Sequence, residues 1–429
     1  MYELTLQIRS IDTVKPFPNN PRRHSARQVA QIADSIEVTA FANPILIDED
    51  GVIIAGHGRL LAAKKLKLTE VPVIELPGLT DAQKRLLRIA DNKIALNASW
   101  DPDLLKVELQ EIMVSDLDVE ITGFEVGEID VVLAEQDDPA DDTFPQTVEA
   151  AVSQAGDIWL LGRHRLACGD VRNPNMIEQL MAGATADAAF LDPPYNVPIH
   201  GYATGRGQFQ HREFEVGCGE MSNADFCAFL QDCFDRCAAV SRDGAVHFIC
   251  MDHHHAGELI TAADKAYSQR LNICVWSKNN AGLGKLYRSQ HELVFVYRVG
   301  GTQHRNNVQL GKHGRYRTNI WEYPSVNGFS GSRKHDLALH PTVKPVAMVA
   351  DAIQDVTKPG EIVLDAFLGS GTTLIAAERT GRVCYGLEID PHYVEVALDR
   401  WAAMTGKEPV LEATGETLSQ RRQAREALA

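Results

Sequence analysis

One stretch of this chain combines residue types that could bind and orient a planar, amino-bearing ring. It is Leu191-Asp192-Pro193-Pro194-Tyr195-Asn196, directly after the apolar run Ala188–Leu191. Two consecutive prolines remove two backbone N–H donors and stiffen the chain, so the carbonyls there point in a fixed direction. Asp192 offers an acceptor, the Pro193 carbonyl offers a second, and Tyr195 offers a flat face. Two acceptors can take the hydrogens of an exocyclic NH2 while the aromatic ring stacks on the π-face. The plainer alternative is a strand-ending turn, in which Asp-Pro is common.

A second stretch reads Ile362-Val-Leu-Asp365-Ala-Phe367-Leu-Gly369-Ser-Gly371-Thr372-Thr373, then a helical pattern, then Val383-Cys-Tyr-Gly-Leu-Glu388. Strand, glycine-rich turn, helix, strand and terminal acid form a unit in which backbone approaches a ligand and the acid accepts from ribose hydroxyls. Leu374 stands where a dinucleotide fingerprint has its third glycine, so a nicotinamide cofactor is a poor fit. A third stretch, His340-Pro-Thr342-Val-Lys344-Pro345, leads into a further helical pattern. Its hydroxyl and ammonium suit a ligand carboxylate, or the motif is only a helix start with proline in the first turn.

These stretches need a sheet to align them. Strand-like runs recur at 158–161, 188–191, 245–250, 273–276, 293–297, 362–364 and 383–387, with helical patterns after Ser222, Pro345 and Gly371. Strands alternating with helices predict a mostly parallel, doubly wound α/β sheet, whose ligands bind at the carboxyl ends of the strands. Residues 1–112 read as a small α+β domain. In it Ser25 caps one helix, 44–48 and 52–55 form a hairpin, 71–74 is a strand, Thr80 caps a second helix, and Trp100-Asp-Pro opens a third. The predicted domains are 1–112, an acidic connector over 113–150, a catalytic domain over 151–410 and a tail over 411–429.

In this order, DPPY, HPTVKP and DAFLGSG with Glu388 resemble the amino-group DNA methyltransferases that use S-adenosylmethionine, over about 156–405. The catalytic motif precedes the cofactor motif, as in the circularly permuted β class, and Gly156–Asp170 resembles that family's entry hairpin. The resemblance implies a Rossmann-like methyltransferase domain and adenine-N6 as acceptor, with cytosine-N4 as the alternative. Asp192, Pro193, Pro194 and Tyr195 would form the target-base site. Asp170, Thr342, Lys344, Asp365, Phe367, Gly369, Gly371, Thr372 and Glu388 would surround the cofactor. Target recognition would lie within 196–339. The N-terminal domain resembles the ParB/sulfiredoxin-like fold through Asn20-Pro21-Arg22, the Pro44 hairpin and Ala55-Gly56-His57-Gly58-Arg59. That likeness makes Gly56, His57, Gly58 and Arg59 candidates for a nucleotide, although His57-Gly58 stands where some members have Glu-Arg. A ParB-like regulatory DNA-binding protein with a vestigial second domain is the non-enzymatic alternative.

The charge balance tests a DNA partner. The chain has 429 residues and a net charge of -16, which by itself disfavours nucleic acid. Residues 101–150, however, hold 16 acidic side chains against Lys106 alone, a local net of -15. Residues 270–344 carry 12 Lys/Arg against Glu292, Glu322 and Asp336, a local net of +9, with Trp276, Tyr287, Tyr316, Trp321 and Tyr323 interleaved. Phosphate neutralisation needs such a composition, and Lys278, Lys285, Arg288, Arg315 and Arg317 are the candidate contacts to double-stranded DNA. All eight cysteines follow residue 167 without C-x-x-C spacing, and buried reduced thiols are expected. His253-His254-His255 lacks companion ligands in sequence, so no metal is assigned. No secretory leader or membrane-spanning run is read, so the expected location is the cytoplasm; a homodimer is compatible with the sequence.

Overall fold

The computed structural model describes residues 4–115, 117–134, 142, 151–197, 219–279, 281, 286–312, 315–325 and 343–427. Two compact units emerge, Met1–Leu133 and Ala134–Ala429.

The first unit is built on strands β1 (Leu6–Ser10), β2 (Ile45–Ile47), β3 (Ile53–Ala55) and β4 (Glu70–Glu75), in the order β1-β4-β2-β3. Helix α1 (Ala26–Thr39) starts at Ser25, whose side chain accepts from the Gln28 N–H. Helix α2 (His57–Lys65) follows the β2–β3 hairpin. Helix α3 (Asp81–Ala95) starts with a reciprocal cap between Thr80 and Gln83. Ile45, Ile47, Ile53, Leu60, Val71 and Val73 form the core.

Order continues past the predicted domain end. Helix α4 (Pro102–Val114), a 3-10 turn at Val119–Thr122 and helix α5 (Val126–Leu133) enclose a small core of Leu109, Val119 and Ile129. The front of the predicted acidic connector is therefore folded: its 3-10 turn and α5 pack on α4, the helix that closes the predicted first domain. Within 135–150, only Asp142 is described; its carboxylate accepts from the Val346 N–H at 3.1 Å.

In the second unit, ten described strands form one mixed sheet. In chain order they are β5 (Ile158–Leu161), β6 (His164–Cys168), β7 (Ala186–Leu191), β8 (Ser241–Met251), β9 (Gln269–Ser277), β10 (His291–Arg298), β11 (Ile320–Glu322), β12 (Ile362–Asp365), β13 (Val383–Glu388) and β14 (Val410–Leu411). Their spatial order is β11-β9-β10-β8-β7-β12-β13-β6-β5-β14. The centre, β8-β7-β12-β13-β6, is parallel. The flanking β10 pairs antiparallel with β8 and β9, and β5 with β6 and β14. Central strands buried on both faces read as unbroken apolar runs, as 188–191 does.

Helices cover both faces: α6 (Pro174–Met181), α7 (Asn223–Ala239), α8 (Ala256–Ala266), α9 (Val346–Val356), α10 (Thr372–Arg379), α11 (Pro391–Thr405) and α12 (Leu418–Glu426). The predicted tail over 411–429 is part of this fold. Leu411 pairs with Trp159, and Arg422 bridges Glu395 and Asp399. Its two-residue strand is too short to leave a pattern in sequence.

The chain leaves β7 towards β8 on one side and β12 towards β13 on the other. The crevice between β7 and β12 is thus a topological switch point, where sheets of this kind hold ligands. Asp192, Asp365, Glu388 and Asp170 follow or end β7, β12, β13 and β6, all along the same edge of the sheet.

Candidate active site

At the end of β7 the buried Pro193 fixes the turn, and Asn196 closes it with φ +53°. The Asn196 side chain donates to the Met221 carbonyl and accepts from the Gly219 and Met221 N–H groups, so it ties the turn to the approach of α7. Between these anchors Tyr195 O–H reaches Asp192 Oδ1 at 2.8 Å and, closer still, Glu292 Oε1. Lys344 Nζ donates to Asp192 Oδ2 at 2.6 Å and pairs with Glu292 Oε1 at 2.8 Å. Lys278 Nζ donates to Glu292 Oε2 at 2.7 Å. Asp192, Cys250 and Glu292 place their ligand atoms within 4.8 Å of one another, and the Lys344 ammonium supplies the positive charge there.

The electrostatics follow from burial and pairing. Burial pushes the Asp192 carboxyl up, and the Glu292 charge adds to that, against the pull of Lys344. Burial acts on Glu292 in the same sense, but Lys344 and Lys278 outweigh it and hold Glu292 below the usual range. Burial opposes the Lys344 charge, yet Asp192 and Glu292 raise its affinity for a proton. The site therefore holds an ammonium clamped between Asp192 and Glu292. Lys344 was expected at the cofactor; its ammonium lies on Asp192 and Glu292. Thr342 and Lys285 lie outside the described residues.

The glycine-rich turn is held from below. Asp365 accepts from Phe367 N–H at 2.9 Å and Thr373 Oγ1 at 2.6 Å, while burial pushes its carboxyl up to about 7. Glu388 accepts from Gly369 N–H at 2.7 Å and Asp390 N–H at 2.9 Å, and burial likewise raises it to about 7. Phe367 is half-buried, and Thr372 is buried in the first turn of α10. Gly371 has φ +89°, and a Cβ there would lie 2.9 Å from Ala397 Cβ. Its glycine is thus required by packing against α11. Asp170, at the end of β6, is gripped by the Arg172 side chain and backbone N–H.

The basic segment divides. Arg315 and Arg317 pair with Asp351 and Asp355, and Arg317 also donates to Tyr323. They were expected to contact DNA; the structure spends them on fastening α9, a pairing across more than 30 residues that spacing does not reveal. Trp276 and Trp321 are core residues, whereas Tyr287 and Tyr316 are more than 80% exposed. Arg288 is exposed and donates to the Ala281 carbonyl. Lys278 is part of the Asp192 cluster and lies 4.4 Å from the centre of the Trp276 ring. Glu292 was counted in sequence only as one of three acids in a basic stretch. That isolation, at the start of an apolar strand, was the available signal.

In the first unit, His57 Nε2 accepts from the Phe17 N–H, and burial lowers the imidazole to about 4, so it is neutral at pH 7. A Cβ on Gly58 would meet Ile32 Cδ1 at 2.9 Å. Arg59 donates to the carbonyls of Asn43 and Pro44. These residues join the hairpin and two helices, with Gly56 at φ +104° making the turn.

Comparison with known proteins finds three matching regions. Residues 186–399 match an N6/N4 family model described as DNA methylase, residues 103–155 a ParB-methyltransferase HTH domain, and residues 3–92 a ParB N-terminal domain. The ParB-like nuclease domain-containing protein YnaK of Escherichia coli (strain K12) is 51% identical over 83 residues, 19% of this chain and 95% of that protein. The DNA adenine methyltransferase YhdJ of the same strain is 25% identical over 242 residues, 50% of this chain and 76% of that protein. The crystal structure of the M1.HpyAVI–SAM complex is 20% identical with a TM-score of 0.41, covering 55% of this chain and 97% of that one.

Proposed function

We infer the specific activity from the premise that this chain belongs to the N6/N4 DNA methylases and carries a ParB N-terminal domain: it methylates the exocyclic N6 of adenine in double-stranded DNA. The observation that carries this reading is the placing of Asp192 and the glycine-rich turn on neighbouring parallel strands, β7 and β12, at one edge of the sheet. An acceptor for an amino group and a cradle for a methyl donor then face one crevice. Adenine is preferred to cytosine because the motif begins with Asp192 and because a relative over half the chain is named as an adenine enzyme.

The residues fit S-adenosylmethionine by their chemistry. Glu388 is an acceptor for a ribose diol, half-buried Phe367 offers an aromatic face, and the turn at Gly369–Gly371 brings backbone close. Asp170, Asp365 and Thr372 complete the proposed wall. When bound, this cofactor supplies a methyl group on a positively charged sulfur. The protein's task is positioning. A base turned out of the duplex stacks on Tyr195, and its amino group donates to Asp192 and the Pro193 carbonyl. The nitrogen lone pair is thereby aimed, and Asp192 is placed to take the proton that the nitrogen sheds. Orientation of this kind can supply several kcal/mol of the barrier reduction, about 7 or more in favourable systems.

Double-stranded DNA is the proposed partner of the second unit, with Arg288, Tyr287 and Tyr316 as its exposed contacts. For the first unit, the turn at Gly56–Arg59 is the proposed nucleotide contact, through backbone N–H groups at the start of α2. Its His57 and Arg59 side chains already have partners.

Asp192→Ala tests the assignment. It is expected to abolish methyl transfer to DNA while a titration with S-adenosylmethionine still shows binding. A variant that keeps wild-type transfer contradicts the role of Asp192.

A further inference from the structure

Glu292 enters no motif and lies 97 positions from Tyr195, yet its carboxylate meets Tyr195, Lys278 and Lys344 of the Asp192 cluster. It is buried at the start of β10, beside β8. The groups facing it are Tyr195 from the turn after β7, Lys344 from the approach to α9, Lys278 from the end of β9, and Cys250 and Asp192 across the site. Building on the methyltransferase reading above, the geometry points to Glu292 as a positioning residue for methyl transfer. It holds the Lys344 ammonium and the Tyr195 hydroxyl, so that Asp192 can release Lys344 and accept the amino group of the target base.

The argument is one of competition for acceptors. Lys344 Nζ lies 2.6 Å from Asp192 and 2.8 Å from Glu292, so two carboxylates share one ammonium. An incoming amino group needs an oxygen of Asp192 that this ammonium now occupies. If Asp192 were its sole counter-ion, drawing it away would strand a buried charge, which is costly. With Glu292 beside it, the ammonium keeps a partner and the cost falls. Tyr195 has a single hydrogen to give, and an ionised Glu292 is the better acceptor for it. A hydroxyl pinned to Glu292 fixes the ring on which the base stacks and leaves the inner face of Asp192 to the substrate. Lys278, cation–π partner of Trp276, holds the far oxygen of Glu292 and fixes the carboxylate's plane.

The test is steady-state methylation of DNA by full-length Glu292→Gln and Glu292→Asp across pH 5.5–9, with cofactor affinity measured by calorimetry. For Glu292→Gln, kcat is expected to fall about 10- to 100-fold with cofactor affinity unchanged, since only positioning of the base is lost. Its acid limb is expected to move to lower pH, because the negative charge that raises Asp192 has gone. Glu292→Asp keeps the charge, so its limb is expected to stay in place while kcat falls less. A purely structural role predicts lower stability with no movement of the limb, and that result overturns the proposal, as does a folded Glu292→Gln with wild-type kcat. Should Glu292→Gln fail to fold, Glu292→Asp decides: reduced kcat with intact cofactor affinity supports the proposal, and wild-type kcat overturns it. Wild-type protein that transfers no methyl group to DNA overturns both this proposal and the reading beneath it.

Discussion

Glu388 and Asp365 show how burial tunes the proposed cofactor wall. Both are raised to about 7, so in the free protein each is partly protonated near neutral pH. A folded-state value above the unfolded one means that the fold holds more protons than the unfolded chain from about 4 to about 7. The unliganded fold consequently loses stability from this source as pH rises through that window. Ribose hydroxyls donate to an ionised carboxylate, so ligand binding runs the other way. Affinity for S-adenosylmethionine is expected to fall as pH drops from 8 to 6, by up to about tenfold per unit below the Glu388 value. Calorimetry at the two pH values checks this, and Glu388→Gln is expected to flatten the dependence. Asp192, Tyr195 and the glycine-rich turn were legible in sequence because each motif is local. Glu292 was not, because it meets Tyr195 only once β10 lies beside β8.

At the scale of elements, caps and strands were readable where the signal is short-range. Ser25, Thr80 and Ser222 each cap the helix expected of them. What sequence could not show is which basic residues are already spent. Arg315 and Arg317 read as DNA contacts, yet they close an ion-pair cluster on α9, the helix that follows Lys344. Arg317→Met is expected to cost about 1–2 kcal/mol in chemical denaturation, since Asp351 and Asp355 are left to share Arg315 as their cationic partner. Its effect on the salt dependence of DNA binding is expected to be small. Gly371 makes a second prediction at this scale. Gly371→Ala combines a left-handed backbone with a 2.9 Å approach to Ala397, and is expected to destabilise by about 2–4 kcal/mol. A melt matching wild type would show that α10 and α11 can shift apart.

The whole molecule resolves the charge paradox that composition alone presents. A net of -16 disfavours DNA, but -15 of it lies in 101–150, whose front is folded as α4, the 3-10 turn and α5. That stretch overlaps the match to an HTH domain, yet it offers one basic side chain, Lys106, for phosphate contact. A sequence so acidic has little with which to neutralise phosphate. Neutralising Asp137, Asp138, Asp141 and Asp142 to asparagine is expected to tighten DNA binding at low salt, with the difference vanishing at high salt; fluorescence anisotropy over a salt series checks it. The central claim is that Asp192 directs a methyl group to adenine N6. Its most direct test is nucleoside mass spectrometry of DNA from cells expressing the wild-type protein or Asp192→Ala at equal levels. N6-methyladenine with the wild type and none with the variant is the predicted result. N4-methylcytosine in its place, or N6-methyladenine undiminished in the variant, would contradict it.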